Sequence, residues 1–163
     1  MLLVCTACTP ATAPATSVPA RHQKGIAGKV VSVHDGDTLT LQSGGRGSKK
    51  LKVRLEGIDA PEIGQPYGDV SRQALNNMVY GRMVTIVPVT VDKYGRTVGR
   101  VVLGRLDVNG EMVRIGLAWW YDRYSQDAGL SQAQQQARYY HWGLWRDENP
   151  TPPWTWRNIH PRR

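Results

Sequence analysis

Five short β-patterned runs punctuated by turn signals lie between Lys29 and Leu103, and they limit the chain to short strands joined by tight connections. Lys29 to His34 is β-branched and runs into Asp35-Gly36, a strong hairpin signal. Asp37 to Gln42 then alternates Thr38 and Thr40 against Leu39 and Leu41. Leu51 to Leu55 alternates as well, so Arg54 points away from the face that carries Val53 and Leu55. Met83 to Val91 and Thr97 to Leu103 complete the set, joined by a turn containing Tyr94-Gly95. Pro88 lacks the N–H a ladder needs, so the fourth run predicts an edge or a bulge.

Helical spacing separates and follows these runs. Val70, Ala74, Leu75, Met78 and Val79 recur on one face, and Gly81 can close that helix. Asn109 reads as the cap of a short helix through Met112 and Val113 that ends at Gly116, although Asn109-Gly110 also fits a hairpin turn. Ser131 with Gln134 reads as a capping box, with Ala133, Ala137 and Tyr140 on one face and Gly143 as the stop. The pattern predicts an α+β chain: a small five-stranded barrel of the oligonucleotide-binding (OB) type with three helices. We divide the 163 residues into a leader and tether over 1–25, the barrel domain over 26–148, and a Pro/Trp/Arg-rich tail over 149–163 that wraps on the surface.

Cys5 and Cys8 are the only cysteines, so the barrel domain needs neither a disulfide nor a thiolate metal site. Thr6-Ala7-Cys8 resembles the end of a lipoprotein signal, but the stretch before it is short and lacks a basic start. Either the true start lies upstream or this is no signal. The Pro/Thr/Ala-rich stretch that follows favours export, with Cys8 as a possible lipid anchor and an extracytoplasmic location. Lys and Arg total 21 against 13 Asp and Glu, a net charge of +8 that attracts polyanions, nucleic acid above all. Phe is absent while there are six Trp and seven Tyr, rings whose polar handles suit half-wet grooves. Trp119, Trp120, Trp142 and Trp145 are expected in the core rather than on a ligand. His22, His34, His141 and His160 form no ligand spacing.

Three strings carry the chemistry: Asp35-Gly36-Asp37-Thr38, Arg54 through Glu62, and Asp92-Lys93-Tyr94-Gly95-Arg96. Asp37 and Asp59 offer hard oxygen donors, suited to Ca²⁺ or Mg²⁺ rather than zinc. Glu62 is a further carboxylate able to take a proton, on a loop stiffened by Pro61. Arg54 and Arg96 supply planar, always-charged forks that match phosphate oxygens. Each element has a plainer reading: a capped hairpin turn at Asp35-Gly36-Asp37, an exposed loop glutamate at Glu62, and an ion pair of Arg54 with Glu56 on the same strand face. Together, the set matches what hydrolysis of a phosphodiester requires.

With these strings the chain resembles the staphylococcal nuclease (thermonuclease) family over roughly residues 28–157. Val108-Asn109, Gly116 through Tyr121, Gly143-Leu144-Trp145 and Pro152-Pro153-Trp154 extend the match beyond the three strings. The resemblance implies one Ca²⁺ held by Asp37, Asp59 and the backbone carbonyl of Ala60, where the family's best-known member has Thr. It implies Glu62 as general base and Arg54 and Arg96 as a clamp on the scissile phosphate. Lys93 and Tyr94 would touch a neighbouring phosphate, and Tyr124 would stack a base. A second family tyrosine is replaced by Asp122, and Tyr121 is the candidate to stand in for it. The implied activity is Ca²⁺-dependent hydrolysis of DNA and RNA that leaves 3′-phosphate ends, by a monomer that prefers single-stranded or flexible substrate. The rival expectation is a non-catalytic barrel that binds nucleic acid or peptide.

Overall fold

Strands β1 (Ile26–Val33) and β2 (Thr38–Ser43) form the expected hairpin, with Val33 opposite Leu39 and Gly28 opposite Ser43. The computed structural model describes residues 25–44 and 48–161. The leader, Cys5 and Cys8 therefore lie outside the described residues. β3 (Lys50–Leu55) pairs with β2, β5 (Met83–Val91) with β1, and β6 (Thr97–Leu103) with β5, all antiparallel. A parallel pairing of β3 with β6, Val53 beside Thr97 and Arg54 beside Val98, closes the ring. The result is a closed five-stranded barrel, as the alternation predicts. The register of β5 shifts between Pro88 and Thr90, so the proline marks a bulge.

Three short strands are additions. β4 (Ile58–Asp59) pairs with β8 (Trp119–Trp120) outside the barrel sheet, and β7 (Leu106–Asp107) folds back on β6. Inside the barrel, Val30, Leu39, Leu41, Val53, Leu55, Ile86 and Val101 are buried together with Leu75, Val79, Met112 and Val113 from the helices. Each such side chain contributes about 1.5–3 kcal/mol through the apolar area it removes from water. Trp119 and Trp145 are buried as expected, beside Leu144 and Ala137 in a second cluster under the C-terminal segment. Among the described residues, no helix is long and apolar enough to cross a membrane.

Among the described residues four α-helices accompany the barrel, one more than expected. α1 (Gly68–Val79) ends before Gly81, whose φ of 74° suits the left-handed stop the sequence predicts. Its inner face is Ser71, Leu75 and Val79, whereas Val70 is exposed. The Ser71 hydroxyl is satisfied there, donating to Leu117 O at 2.6 Å. α2 (Val108–Arg114) follows Asp107, so Asn109 is not its cap. Asn109 is fully buried, accepts from Val101 N at 2.9 Å and donates to Glu56 O at 2.9 Å. A buried amide with partners on two other segments is worth more there than at a solvent-facing helix start.

α3 (Ala128–Tyr139) likewise starts earlier than the Ser131–Gln134 box predicts. Asp127 caps it, accepting from Gly129 N at 2.8 Å and Leu130 N at 3.3 Å. Gln134 instead accepts from Trp120 N at 3.0 Å, tying α3 to β8. After a single 3₁₀ turn (Gly143–Arg146), α4 (Pro153–Ile159) occupies the segment expected to wrap on the surface. Its proline start fits the first turn of a helix, and Pro153 is buried.

Candidate active site

The site is built where the β1–β2 hairpin loop meets β4. His34 N donates to Thr38 O at 2.8 Å to close the loop, and Asp37 N donates to Asp35 Oδ1 at 3.0 Å inside it. Gly36 is required by crowding: a Cβ there would stand 1.8 Å from Ser71 Oγ and 2.7 Å from the Ala60 Cβ. That close approach brings Asp37 against the chain leaving β4, where Ala60 N donates to Asp37 Oδ2 at 2.8 Å. Asp59, paired through its backbone with Trp119, is thereby set next to Asp37. Only 5% of Asp37 and 1% of Asp59 is exposed.

Two ionised carboxylates buried side by side are costly unless cations pair with them. Arg54 meets both. It lies on the outer face of β3 opposite Thr38, with Nη1 on Asp37 Oδ2 and Nη2 on Asp59 Oδ1, the latter at 2.9 Å. The alternative pairing of Arg54 with Glu56 is therefore not what forms. Burial pushes the Asp37 carboxyl up, but the Arg54 charge and the Ala60 N–H outweigh it and hold it below the ordinary range. Asp59 stays above that range, because burial exceeds the help from Arg157 and Arg54. Asp35 is pushed up to about 7, by burial first and then by the charge of Asp37.

Glu62 follows on the loop after β4. Its N–H donates to Gln65 Oε1 at 3.0 Å, and Gln65 Nε2 donates to Thr151 O at 2.7 Å, fastening the loop to the C-terminal segment. Arg157 then enters from α4. It donates through Nη2 to Asp59 Oδ2 at 2.7 Å, and through Nη1 to Asp59 Oδ1 at 3.2 Å and Glu62 Oε1 at 2.9 Å. Sequence reasoning missed this residue. A signal was present: Pro152-Pro153 can start a helix, and Trp154 and Arg157 then share one face at i, i+3.

Arg96 precedes Thr97, whose neighbour across the parallel ladder is Val53; both are buried, so alternation puts Arg96 on the same outer face as Arg54. Its guanidinium is held by its own turn, with Nε donating to Asp92 Oδ2 at 2.7 Å. Asp92 also accepts from the N–H groups of Tyr94 and Arg96, both at 2.9 Å. Lys93 and Arg96 both lie over the exposed Tyr94 ring, at 5.2 and 5.5 Å. The structure thus joins Asp37, Arg54, Asp59, Ala60 and Glu62 in one cluster, while Lys93, Tyr94 and Arg96 form a separate basic turn on that face.

Tyr121 adjoins the acids. Its N–H donates to Gly57 O at 2.9 Å, and burial followed by the Asp59 charge raises its phenol above the ordinary value. Its ring stacks on Trp154 with centroids 5.0 Å apart and planes within 2°, while Tyr124 meets it edge-on at 4.8 Å and is itself exposed. Beside two buried carboxylates and two arginines there is therefore an aromatic platform open to solvent. A hard cation, a phosphate and a base ring would each find matching chemistry there.

The staphylococcal nuclease homologue family model matches residues 52–147. A protein of Escherichia coli named an uncharacterized endonuclease is 42% identical over 134 residues, 82% of this chain and 86% of that protein. A Haemophilus influenzae protein of the same printed name is 43% identical over 129 residues, 79% of this chain and 71% of its own. A staphylococcal-like nuclease of Arabidopsis thaliana is 40% identical over 110 residues, 68% of this chain but 34% of that longer protein. With a family model that runs from β3 past the 3₁₀ turn and bacterial relatives that align along most of their own length, the chain belongs to the staphylococcal nuclease family.

Proposed function

We propose that this chain is a Ca²⁺-dependent, sugar-nonspecific nuclease that hydrolyses DNA and RNA, breaking the bond to the 5′ oxygen and leaving 3′-phosphate ends. The observation that carries the reading is the buried Asp37–Asp59 pair, drawn together by Arg54 with Glu62 at its margin. A purely structural barrel gains nothing from concentrating carboxylates in a desolvated corner, whereas perturbed, converging acids are what a hydrolytic site uses.

The donor set fits a hard divalent ion. Asp37 and Asp59 supply carboxylate oxygens, which the ion would take over from Arg54 and Arg157, and the family resemblance adds the carbonyl of Ala60, whose N–H is bonded to Asp37. When bound there, calcium would neutralise charge on the phosphoryl oxygens. In this reading Glu62 accepts the proton of the attacking water, a role worth about 10²–10⁴ in rate. Arg54 and Arg96 offer their forks to the equatorial oxygens as charge develops on them. Each must leave its carboxylates to do so, Arg54 those of Asp37 and Asp59 and Arg96 that of Asp92. Lys93 and Tyr94 hold an adjacent phosphate, and Tyr121 and Tyr124 offer ring faces to a base. These contacts address backbone and ring faces rather than base edges, which supports low sequence selectivity and a preference for flexible or single-stranded substrate.

The test is incubation of the purified chain with heat-denatured DNA and with RNA, in Ca²⁺ or in chelator, followed by end analysis. Fragments with 3′-phosphates only in Ca²⁺ are expected. DNA retained but uncut in Ca²⁺ would make the chain a binding module, and cutting that survives chelator would remove the metal from the reading.

A further inference from the structure

Arg157 lies beyond the segment that the family model matches, yet it is bonded to two of the acids at the centre of the site. We propose that Arg157 is a positioning residue of the reaction: it holds the Glu62 carboxylate at a set distance and angle from Asp59, making the C-terminal helix part of the catalytic apparatus. The proposal rests on the nuclease reading above.

Glu62 sits on a loop, and its side chain has three torsions whose ordering costs entropy. A base that must meet a water in line with the phosphorus works only from one narrow placement. Arg157 reaches Glu62 through Nη1 and covers both Asp59 oxygens with its two terminal nitrogens. One rigid planar group thus fixes two carboxylates relative to each other. Asp59 is in turn buried and pinned by Arg54 from β3. Glu62 is therefore referenced, through one guanidinium, to the barrel wall.

The arm that delivers this guanidinium is anchored on three sides. Trp154, one turn earlier on the same face, stacks on Tyr121 and meets Trp119 edge-on at 5.5 Å. Pro153 is buried beneath it, and Thr151 accepts from Gln65 on the loop that also holds the Glu62 N–H. Loop and helix are thus cross-braced around Glu62. An arginine used only to neutralise charge would need none of this bracing, and a lysine would serve as well. The fork geometry is what demands Arg.

The experiment is a double-mutant cycle in the full chain: Arg157→Ala, Arg157→Lys, Glu62→Gln, and Arg157→Ala with Glu62→Gln. Cleavage of heat-denatured DNA gives kcat and KM, thermal unfolding gives Tm, and calorimetric titration with CaCl₂ alone reads ion binding without substrate. Arg157→Ala is expected to lower kcat about 10²-fold, the usual cost of a small misplacement, with KM nearly unchanged. Ca²⁺ binding should persist, since a competing cation on Asp59 has been removed. Arg157→Lys should recover little of the rate, because one ammonium cannot grip both carboxylates as a fork does. In the Glu62→Gln background, removing Arg157 should have almost no further effect, because the two act as one unit.

Full additivity of the two substitutions would overturn the proposal, as would a raised KM with kcat intact, which would make Arg157 a substrate contact. Loss of Ca²⁺ binding and of Tm in both Arg157 variants would overturn it too, leaving only a structural arm. A wild-type chain that leaves DNA uncut overturns the nuclease reading and this inference together. A cutting wild type matched by an equally fast Arg157→Ala chain overturns the inference alone.

Discussion

Two arginines on neighbouring strands each stand between two aspartates, with different consequences. Arg54 on β3 joins Asp37 and Asp59; Arg100 on β6 joins Asp127 and, at 3.6 Å, Asp107. The side chains of Asp127 and Asp107 are 29% and 41% exposed, against 1% for Asp59. Asp127 is held below the ordinary carboxyl range, chiefly by its hydrogen bond from Arg100, and its remaining lone pairs cap α3. Asp59 is shifted the other way because burial dominates. The same ion-pair chemistry therefore outweighs burial at Asp127 and at Asp37, and fails to outweigh it at Asp59. Acids kept in the second condition are candidates for chemistry.

The comparison breaks if the two clusters respond alike to substitution. The largest expected effect is Glu62→Gln, which should lower turnover about 10²–10⁴-fold while single-stranded DNA retention and Tm hold. Turnover at the wild-type level would put the base elsewhere and reduce the buried cluster to a structural oddity. Next comes Arg54→Met. It leaves Asp37 and Asp59 buried without their shared cation, at an expected cost of about 3–5 kcal/mol in chelator. Urea unfolding measures this, and Ca²⁺ should recover part of the loss. The matched change at the half-exposed cluster, Arg100→Met, should cost about 1 kcal/mol and be indifferent to Ca²⁺. Equal costs at both positions would show that burial does not separate them.

How much of this could be read from the residues depended on the distance over which each signal acts. The barrel strands declare themselves by local alternation, as at Leu51 to Leu55, and Pro88 marks its own bulge by a missing N–H. Asn109 and Ser131 misled because cap preference is local, whereas their settings are decided by partners elsewhere: Asn109 answers to Val101 and Glu56. Asp127, not Ser131, holds the α3 start because Arg100 fixes it from the barrel. The acids and Arg54 sit in compact strings, so their convergence was open to reading. For Arg157 only a helix face shared with Trp154 was legible; its reach to Asp59, across 98 positions from a seven-residue helix, was not.

The smallest expected effect sharpens the fold-serving side of the contrast. Asp127→Ala removes a helix cap and a half-exposed ion pair, together about 1–2 kcal/mol. Asp127→Asn keeps a capping oxygen and should lose less than half of that. The sign with pH follows from the folded carboxyl titrating below its unfolded value. Its stabilisation is complete above about pH 4–5 and fades as pH falls through the folded value. Measured by urea unfolding, the gap between wild type and Asp127→Ala should be flat at neutral pH and narrow below about pH 4, as Asp127 takes up a proton and Arg100 loses its partner. The gap should not close, because a protonated carboxyl still accepts from Gly129 N. A gap constant down to about pH 2 would assign the whole effect to the cap and none to the charge. Asp127 would then share nothing with Asp59 beyond its residue type.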